Sequence, residues 1–184
     1  MYDYVLNWLS FIVQRPGEKT KVALCLTSEE GAGKGCILKL IEQIVSPDYY
    51  LATSNMKYIL GNFNSIMEGK VLIDLDEASW GGRRSDADAL KEKITEEKQV
   101  IEKKGRDPFT IRDGANYIIT TNNDWFINPS KGARRFVALQ MSDKYAGIAD
   151  EEKEAYFDRI HQADARALAK VLYTQDLQDF NPWK

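Results

Sequence analysis

The chain has 184 residues, near the ~150 of one ordinary domain, and its 43% hydrophobic and 29% charged residues exclude a disordered tail. It contains no run near the ~18 apolar residues of a membrane helix, no signal peptide pattern and only two cysteines, so we expect no membrane partner and a cytoplasmic location (the host's cytoplasm if viral). With 25 basic and 28 acidic residues the net charge is −3, which excludes a protein coated in positive charge; nucleic-acid binding would need a local basic cluster.

Apolar periodicity predicts alternating helices and strands along the chain. Helices are predicted over 2–13, 34–45, 85–97 and 151–172, with Ser85 as an N-cap and a break near Asp164. Strands are predicted over 22–27, 49–52, 71–75, 116–121 and 135–139, and a β-hairpin over 99–111. This alternation predicts an α/β fold with a mostly parallel sheet.

A glycine-rich loop lies between the strand 22–27 and the helix that starts at Lys34. Glycines let successive backbone N–H groups converge on an anion, the helix N-terminus adds positive potential, and Lys34 adds a cation for the outer phosphates. This context is that of a P-loop, so we assign nucleotide binding to its residues. They are Glu30, Gly31, Ala32, Gly33, Lys34, Gly35 and Cys36.

This loop departs from the pattern G-x-x-x-x-G-K-[ST] at two positions. Ser28 replaces the first glycine, and Gly35 replaces the hydroxyl residue that normally helps to hold Mg²⁺. Cys36 is a poor substitute because magnesium prefers oxygen ligands. Metal binding therefore has to use carboxylates elsewhere.

Two adjacent acids, Asp76 and Glu77, follow the apolar strand 71–75. A nucleotide hydrolase uses such a pair to hold Mg²⁺ and to orient the attacking water, so we assign Asp76 to the metal and Glu77 to the water. Asp74 lies on the same strand face as Asp76 and is a second candidate for the metal. An isolated Asp-Glu pair is more often a solvated surface pair; its place after an apolar strand favours the functional interpretation.

Polar residues also follow the strand 116–121. Asn122, with Asn123 as the alternative, is a candidate to hydrogen-bond the γ-phosphate and the attacking water; an Asn-rich turn is equally consistent. Arg134 and Arg135 precede the last strand, and either is a candidate arginine finger. A surface arginine pair is the simpler explanation when these two residues are considered alone.

In this order, these elements resemble the AAA+ ATPase core of superfamily 3 helicases, and more narrowly the helicase part of phage and mobile-element primase–helicase proteins. Phe63-Asn64, Asp76-Glu77-Ala78, Lys104–Pro108 and Arg134-Arg135-Phe136 carry the resemblance, which covers nearly the whole chain. It implies an ASCE-type P-loop fold of three layers, with a five-stranded sheet and a pre-sensor β-hairpin. It also implies hydrolysis of Mg²⁺-bound ATP between subunits of a ring, usually a hexamer, with the arginine finger supplied by a neighbour.

The family resemblance also implies that the hairpin grips single-stranded DNA in the ring channel. The hairpin turn carries Lys103, Lys104 and Arg106, which can neutralise backbone phosphates; without the resemblance an ordinary exposed turn would be preferred. A second basic loop, 80–84, is equally consistent with a contact surface and with a connection. His161 is interpreted as a surface histidine without a role.

Two alternatives to an ATP-driven DNA helicase remain open. Residues 31–35 are also similar to the loop of adenylate kinases, although an N-terminal helix and an Asp-Glu pair do not fit a nucleoside-phosphate kinase. The changes at Ser28 and Gly35 are also consistent with a nucleotide-binding assembly module whose hydrolysis is impaired. We expect an N-terminal helix over 1–17, an ATPase core over 18–145 and a helical segment over 146–184, in a chain that is a fragment or a stand-alone copy of a module of larger proteins.

Overall fold

The computed structural model describes residues 1–76, 84–122, 134–147 and 151–183; the side chains of Arg84 and Ser85 are not described. The helices of this part are α1 Tyr2–Gln14, α2 Lys34–Val45, α3 Lys57–Leu60, α4 Arg84–Thr95, α5 Glu151–His161 and α6 Ala165–Thr174, with a 3₁₀ turn at Ser65–Met67. The strands are β1 Ala23–Thr27, β2 Tyr50–Thr53, β3 Leu72–Asp76, β4 Lys98–Ile101, β5 Phe109–Arg112, β6 Asn116–Thr121 and β7 Phe136–Gln140.

Five strands form one parallel sheet in the order β2-β3-β6-β1-β7. The central strand β6 is buried at all six of its residues, because both faces of the sheet are covered. Strands buried on both faces are apolar along nearly their whole length, which is the pattern that predicted them. The expected α/β fold with a mostly parallel five-stranded sheet is confirmed.

Helices cover the two faces of the sheet as two separate apolar layers. On one face, Trp8 of α1 and Leu38 and Ile41 of α2 pack against Leu24 and Ile118. On the other face, a second cluster joins α3, the 3₁₀ turn and α4 to the sheet; it contains Ile59, Met67, Leu75, Leu90, Ile94 and Ile119. Helix α6 packs against α1 and α2.

Two expectations about element ends were wrong. Ser85 is not the N-cap of α4, since this helix already includes Arg84; Asp86 occupies its first turn, where a negative charge favours the helix dipole. The same helix ends at Thr95 rather than near Glu97, because β4 begins at Lys98. The predicted break near Asp164 is confirmed: its carboxylate accepts a hydrogen bond of 2.9 Å from the Arg166 amide at the start of α6.

The β4–β5 hairpin is antiparallel, as predicted, and stands outside the main sheet. Asn64 fixes its position. The Asn64 amide donates to the carbonyl of Val100 at 2.9 Å and accepts from the Glu102 amide at 3.0 Å. Asn64 is only 6% exposed, so these two hydrogen bonds hold the hairpin to the segment before the 3₁₀ turn while its turn residues remain at the surface.

A buried ion pair joins the segment before β1 to the end of the hairpin. Lys19 Nζ lies 2.7 Å from Asp113 Oδ2 and donates to the carbonyl of Lys93 at 2.6 Å, and each side chain of the pair is 1% exposed. Burial lowers the pKa of Lys19, and the charge of Asp113 opposes this shift. Local sequence patterns do not identify this pair, because its members are far apart in the chain.

Replacing Lys19 by Met should lower the free energy of unfolding by about 3–5 kcal/mol, because it leaves the Asp113 carboxylate buried without its cation. Lys21→Met is the matched control: Lys21 pairs with Glu97 at 2.5 Å, but the two side chains are 30% and 67% exposed. A change below about 1 kcal/mol is expected there. Urea unfolding of both variants measures the difference, and equal losses would contradict the importance of the buried pair.

Candidate functional site

The carboxyl ends of three neighbouring strands meet at one edge of the sheet. Thr27 of β1 lies opposite Thr121 of β6, and Asp76 of β3 lies opposite Thr120. The residues that follow β1 and β6, Ser28 and Asn122, therefore lie beside each other, with Asp76 next in line. Such an edge is where open α/β sheets bind ligands.

The loop between β1 and α2 turns sharply at two glycines. Gly31 has φ +78° and Gly33 has φ +98°, which are left-handed conformations that other residues rarely adopt. Helix α2 then begins at Lys34, so its first-turn N–H groups and its positive dipole end face the loop. This arrangement suits a bound anion.

The Lys34 ammonium group joins the loop to the end of β6. It donates to the Ser28 hydroxyl at 2.7 Å and the Ser28 carbonyl at 3.3 Å. It also donates to the side-chain oxygen of Asn122 in a very short hydrogen bond. Ser28 is 2% exposed. The serine that departs from the P-loop pattern thus supplies a hydroxyl that positions the lysine, a role that the sequence pattern does not reveal.

The two aspartates of β3 have different environments. Asp76 is exposed and accepts a hydrogen bond of 2.8 Å from the Thr120 hydroxyl. Asp74 is 4% exposed and accepts from the Tyr50 hydroxyl at 3.1 Å, and its other oxygen has no hydrogen-bond partner within the described residues. Burial is the main cause that raises the pKa of Asp74 to about 7; the charges of Asp76 and Glu42 act in the same direction, and the Tyr50 hydrogen bond opposes the shift.

Several candidate residues lie outside the described part of the chain: Glu77, Asn123 and residues 80–83. Arg134 and Arg135 are exposed and precede β7. The Arg135 carbonyl accepts from the Ala23 amide at the beginning of β1, so both arginines lie at the amino edge of the sheet. Lys34 follows the opposite, carboxyl end of β1. The two ends of this strand are roughly 15 Å apart, at a rise of ~3.3 Å per residue. The structure therefore does not bring these arginines to the glycine-rich loop of their own chain.

The three cations of the hairpin turn differ in solvent exposure. Lys103 lies 2.5 Å from the Glu68 carboxylate and 5.3 Å from the centre of the Phe109 ring, whereas Lys104 and Arg106 are exposed. Phe63, which had no assigned role, lines the same open cavity as Lys103 and Arg106. Its side chain is 63% exposed and its φ is +57°, which is unusual for a bulky residue.

His161 also has a partner that the sequence analysis did not foresee. Its Nε2 atom lies 3.2 Å from the Cys36 sulfur in the first turn of α2. No sequence signal connects these residues, because they lie 125 positions apart.

Residues 26–135 match the family of unknown function DUF5906. The chain belongs to this family. This DUF5906 chain is also 28% identical over 165 residues to the DNA primase-polymerase of Nitratiruptor phage NrS-1; the match covers 88% of the chain and 23% of that protein. This similarity confirms the expected relationship to phage primase-type proteins. The chain spans only about a quarter of the length of the phage protein that it matches.

Solved structures show the same fold. The apo structure of the NrS-1 C-terminal region superposes with a TM-score of 0.78 at 23% identity, covering 96% of the DUF5906 chain and 42% of the solved chain. Its A form gives a TM-score of 0.76 at 24% identity with the same coverage. None of the helices in the described ranges is both long and apolar enough to cross a membrane.

The raised pKa of Asp74 predicts a pH-dependent stability. The folded chain keeps this carboxyl protonated up to pH about 7, whereas a value of 3.8 applies to an ordinary carboxyl. Between these two pKa values the folded chain binds a proton at Asp74 that the unfolded chain does not. The free energy of unfolding therefore falls as the pH rises from about 4 to 7.

Asp74→Asn should remove this dependence and stabilise the chain by up to a few kcal/mol at neutral pH relative to the wild type. Thermal unfolding from pH 4.5 to 8 in a chelating buffer measures it, and Asp48→Asn, at an exposed position, controls for loss of charge alone. Parallel pH profiles for the wild type and Asp74→Asn would contradict the account.

Proposed function

We propose that this chain is an ATP-driven motor module of a DNA replication protein, with a superfamily 3-like AAA+ core. The observation that carries the proposal is the position of the Lys34 ammonium group, held by Ser28 and Asn122, with Asp76 one strand further along the same edge. A lysine, a glycine-rich backbone and a carboxylate at one edge are the groups that a Mg²⁺-bound nucleoside triphosphate requires.

The donor set fits magnesium. Mg²⁺ at nucleotide sites takes one or two carboxylates, with phosphate oxygens and water completing its shell. Asp76 offers an exposed carboxylate whose orientation is fixed by the Thr120 hydroxyl, and Asp74 lies behind it. The ion would neutralise charge on the phosphates, and Asp76 is the residue that we assign to hold it.

The other roles follow from position. Lys34 binds the outer phosphates, and Asn122, next to it, hydrogen-bonds the γ-phosphate and the attacking water. We assign to Glu77, which directly follows Asp76, the orientation of that water. Because Arg134 and Arg135 lie at the far edge of the sheet, an arginine finger from either has to come from another copy of the chain, which favours a ring of subunits.

The hairpin is the part that we propose contacts single-stranded DNA. Lys104 and Arg106 are exposed at its turn, and Asn64 holds the turn end of β4 to the domain that carries the phosphate loop. Phe63 lines the same open cavity as Arg106, and an aromatic ring near a cation is a combination suited to stacked bases and phosphates. Similarity to a DNA primase-polymerase of a phage supports DNA as the partner.

Lys34→Ala should weaken binding of Mg²⁺-bound ATP by about 10- to 100-fold, because it removes a charged hydrogen-bond donor. Lys39→Ala is the matched control, since Lys39 is exposed on the same helix. Titration with a fluorescent ATP analogue measures affinity, and phosphate release measures turnover. Unchanged affinity in Lys34→Ala would overturn the nucleotide site.

A second candidate, a nucleotide-binding module with impaired hydrolysis, is favoured by Gly35, which stands where P-loops carry a hydroxyl. A Cβ at Gly35 meets nothing within 4 Å, so Gly35→Ser restores that hydroxyl without a clash. If the chain is a motor, the wild type releases phosphate, and the rate per chain rises with protein concentration. If it is a binding module, the wild type binds ATP without releasing phosphate, and Gly35→Ser gains turnover. ADP formed only with added nucleoside monophosphate would indicate a kinase instead.

The double variant Lys104→Ala/Arg106→Ala should weaken binding of a fluorescent single-stranded oligonucleotide and reduce the salt dependence. Each lost phosphate contact lowers the slope of log K against log salt by ~0.7, so a decrease of about 1.4 is expected. Lys170→Ala, at an exposed position of α6, is the control for charge. An unchanged slope in the double variant would exclude the hairpin as the DNA-binding element.

A further inference from the structure

Within the described residues, helix α5 packs on the rest of the molecule through one face. None of its residues is buried. Its half-buried residues are Lys153, Tyr156, Phe157 and Ile160, whose spacing of three and four places them on one side of a helix. Because this face buries little apolar area, the few contacts that it makes determine the position of α5.

That side lies along the phosphate loop. A Cβ built on Gly33 would lie 2.5 Å from Phe157 Cε1 and 3.1 Å from Cζ, so the ring packs directly on a bare glycine. One turn earlier, Lys153 Nζ lies 3.7 Å from the Cβ position of Gly31. One turn later, His161 Nε2 contacts the sulfur of Cys36 at 3.2 Å.

These contacts follow in register. Positions 153, 157 and 161 are spaced by one helical turn, and they meet positions 31, 33 and 36 in the same order. Two turns of α5, about 12 Å at 1.5 Å per residue, therefore follow the loop from its first glycine to the first turn of α2. Gly33 thus has a second constraint besides its positive φ: any side chain there would have to displace the Phe157 ring.

The start of α5 is held by the segment after β7. Tyr145 stacks on Tyr156 with ring centres 4.2 Å apart. Its hydroxyl donates to Glu152 at 3.1 Å, and Lys144 Nζ lies 2.6 Å from the same carboxylate. The Lys153 ammonium group donates to the Gly147 carbonyl at 2.8 Å, which keeps it at the loop.

We propose that α5 is a lid on the phosphate loop and that Lys153 is a second phosphate-binding cation, delivered by this lid from the same chain. The proposal rests on the proposed nucleotide site, of which Lys34 is the first cation. Phe157 sets the distance between lid and loop through its contact with Gly33. Lys153 lies beside Gly31 at the start of the loop, whereas Lys34 is held by Ser28 and Asn122 at the sheet edge.

Lys153→Gln tests this directly. It should weaken binding of ATP and of inorganic tripolyphosphate by about 10-fold each, because one charged donor to phosphate is lost in both. Lys153→Arg should stay within about threefold of the wild type, since it keeps the charge. Lys170→Gln on the neighbouring helix α6 is the charge-matched control, and thermal unfolding confirms that each variant folds.

Hydrogen exchange provides a readout that does not depend on turnover. ATP should slow amide exchange in α5 of the wild type, and clearly less so in Lys153→Gln. Phe157→Ala should also weaken ATP binding, and combining it with Lys153→Gln should add little, because both changes disable the same lid.

The outcomes separate the two proposals. If the wild type binds ATP through Lys34 but Lys153→Gln binds as tightly, the lid proposal is wrong and the nucleotide site stands. Tighter binding in Lys153→Gln or Phe157→Ala would show that α5 obstructs the loop, which also overturns the proposal. If the wild type binds neither ATP nor tripolyphosphate, both proposals fail.

Discussion

The site depends on the register of three parallel strands. Strand β6 lies between β1 and β3, with Thr121 opposite Thr27 and Thr120 opposite Asp76. Three strands that are far apart in sequence therefore end side by side at the carboxyl edge of the sheet. A shift of one residue in either pairing would turn Asp76 or Asn122 to the other face of the sheet. Because β6 is buried on both faces, a shifted register would also have to repack the apolar layers on both sides of the sheet.

Electrostatics then divides the edge into regions of opposite sign. The Lys34 cation and the N-terminus of α2 lie on one side, and the acidic end of β3 lies on the other. The Ser28 and Asn122 oxygens hold the lysine between them, and their hydrogen bonds replace part of the water that the ammonium group loses on burial. Burial makes Asp74 a weaker acid than an ordinary carboxyl group, so it carries less negative charge at neutral pH.

Local patterns in the sequence predicted much of this arrangement. The apolar run 116–121 gave β6 with the bounds that the structure shows, and the glycine spacing placed the sharp loop before α2. Patterns could not give contacts between distant segments: the pair of Lys19 with Asp113, the hydroxyl of Ser28 on Lys34, or α5 on Gly33. These depend on how layers pack, and neither residue type nor spacing encodes that.

A crystal structure of the chain with Mg²⁺ and a non-hydrolysable ATP analogue tests the central claim most directly. The account predicts phosphate oxygens within hydrogen-bond distance of Lys34 Nζ and of the loop amides, and a magnesium ion that Asp76 holds directly or through water. A nucleotide bound elsewhere, with none of its phosphate oxygens near the Lys34 ammonium group, would contradict it.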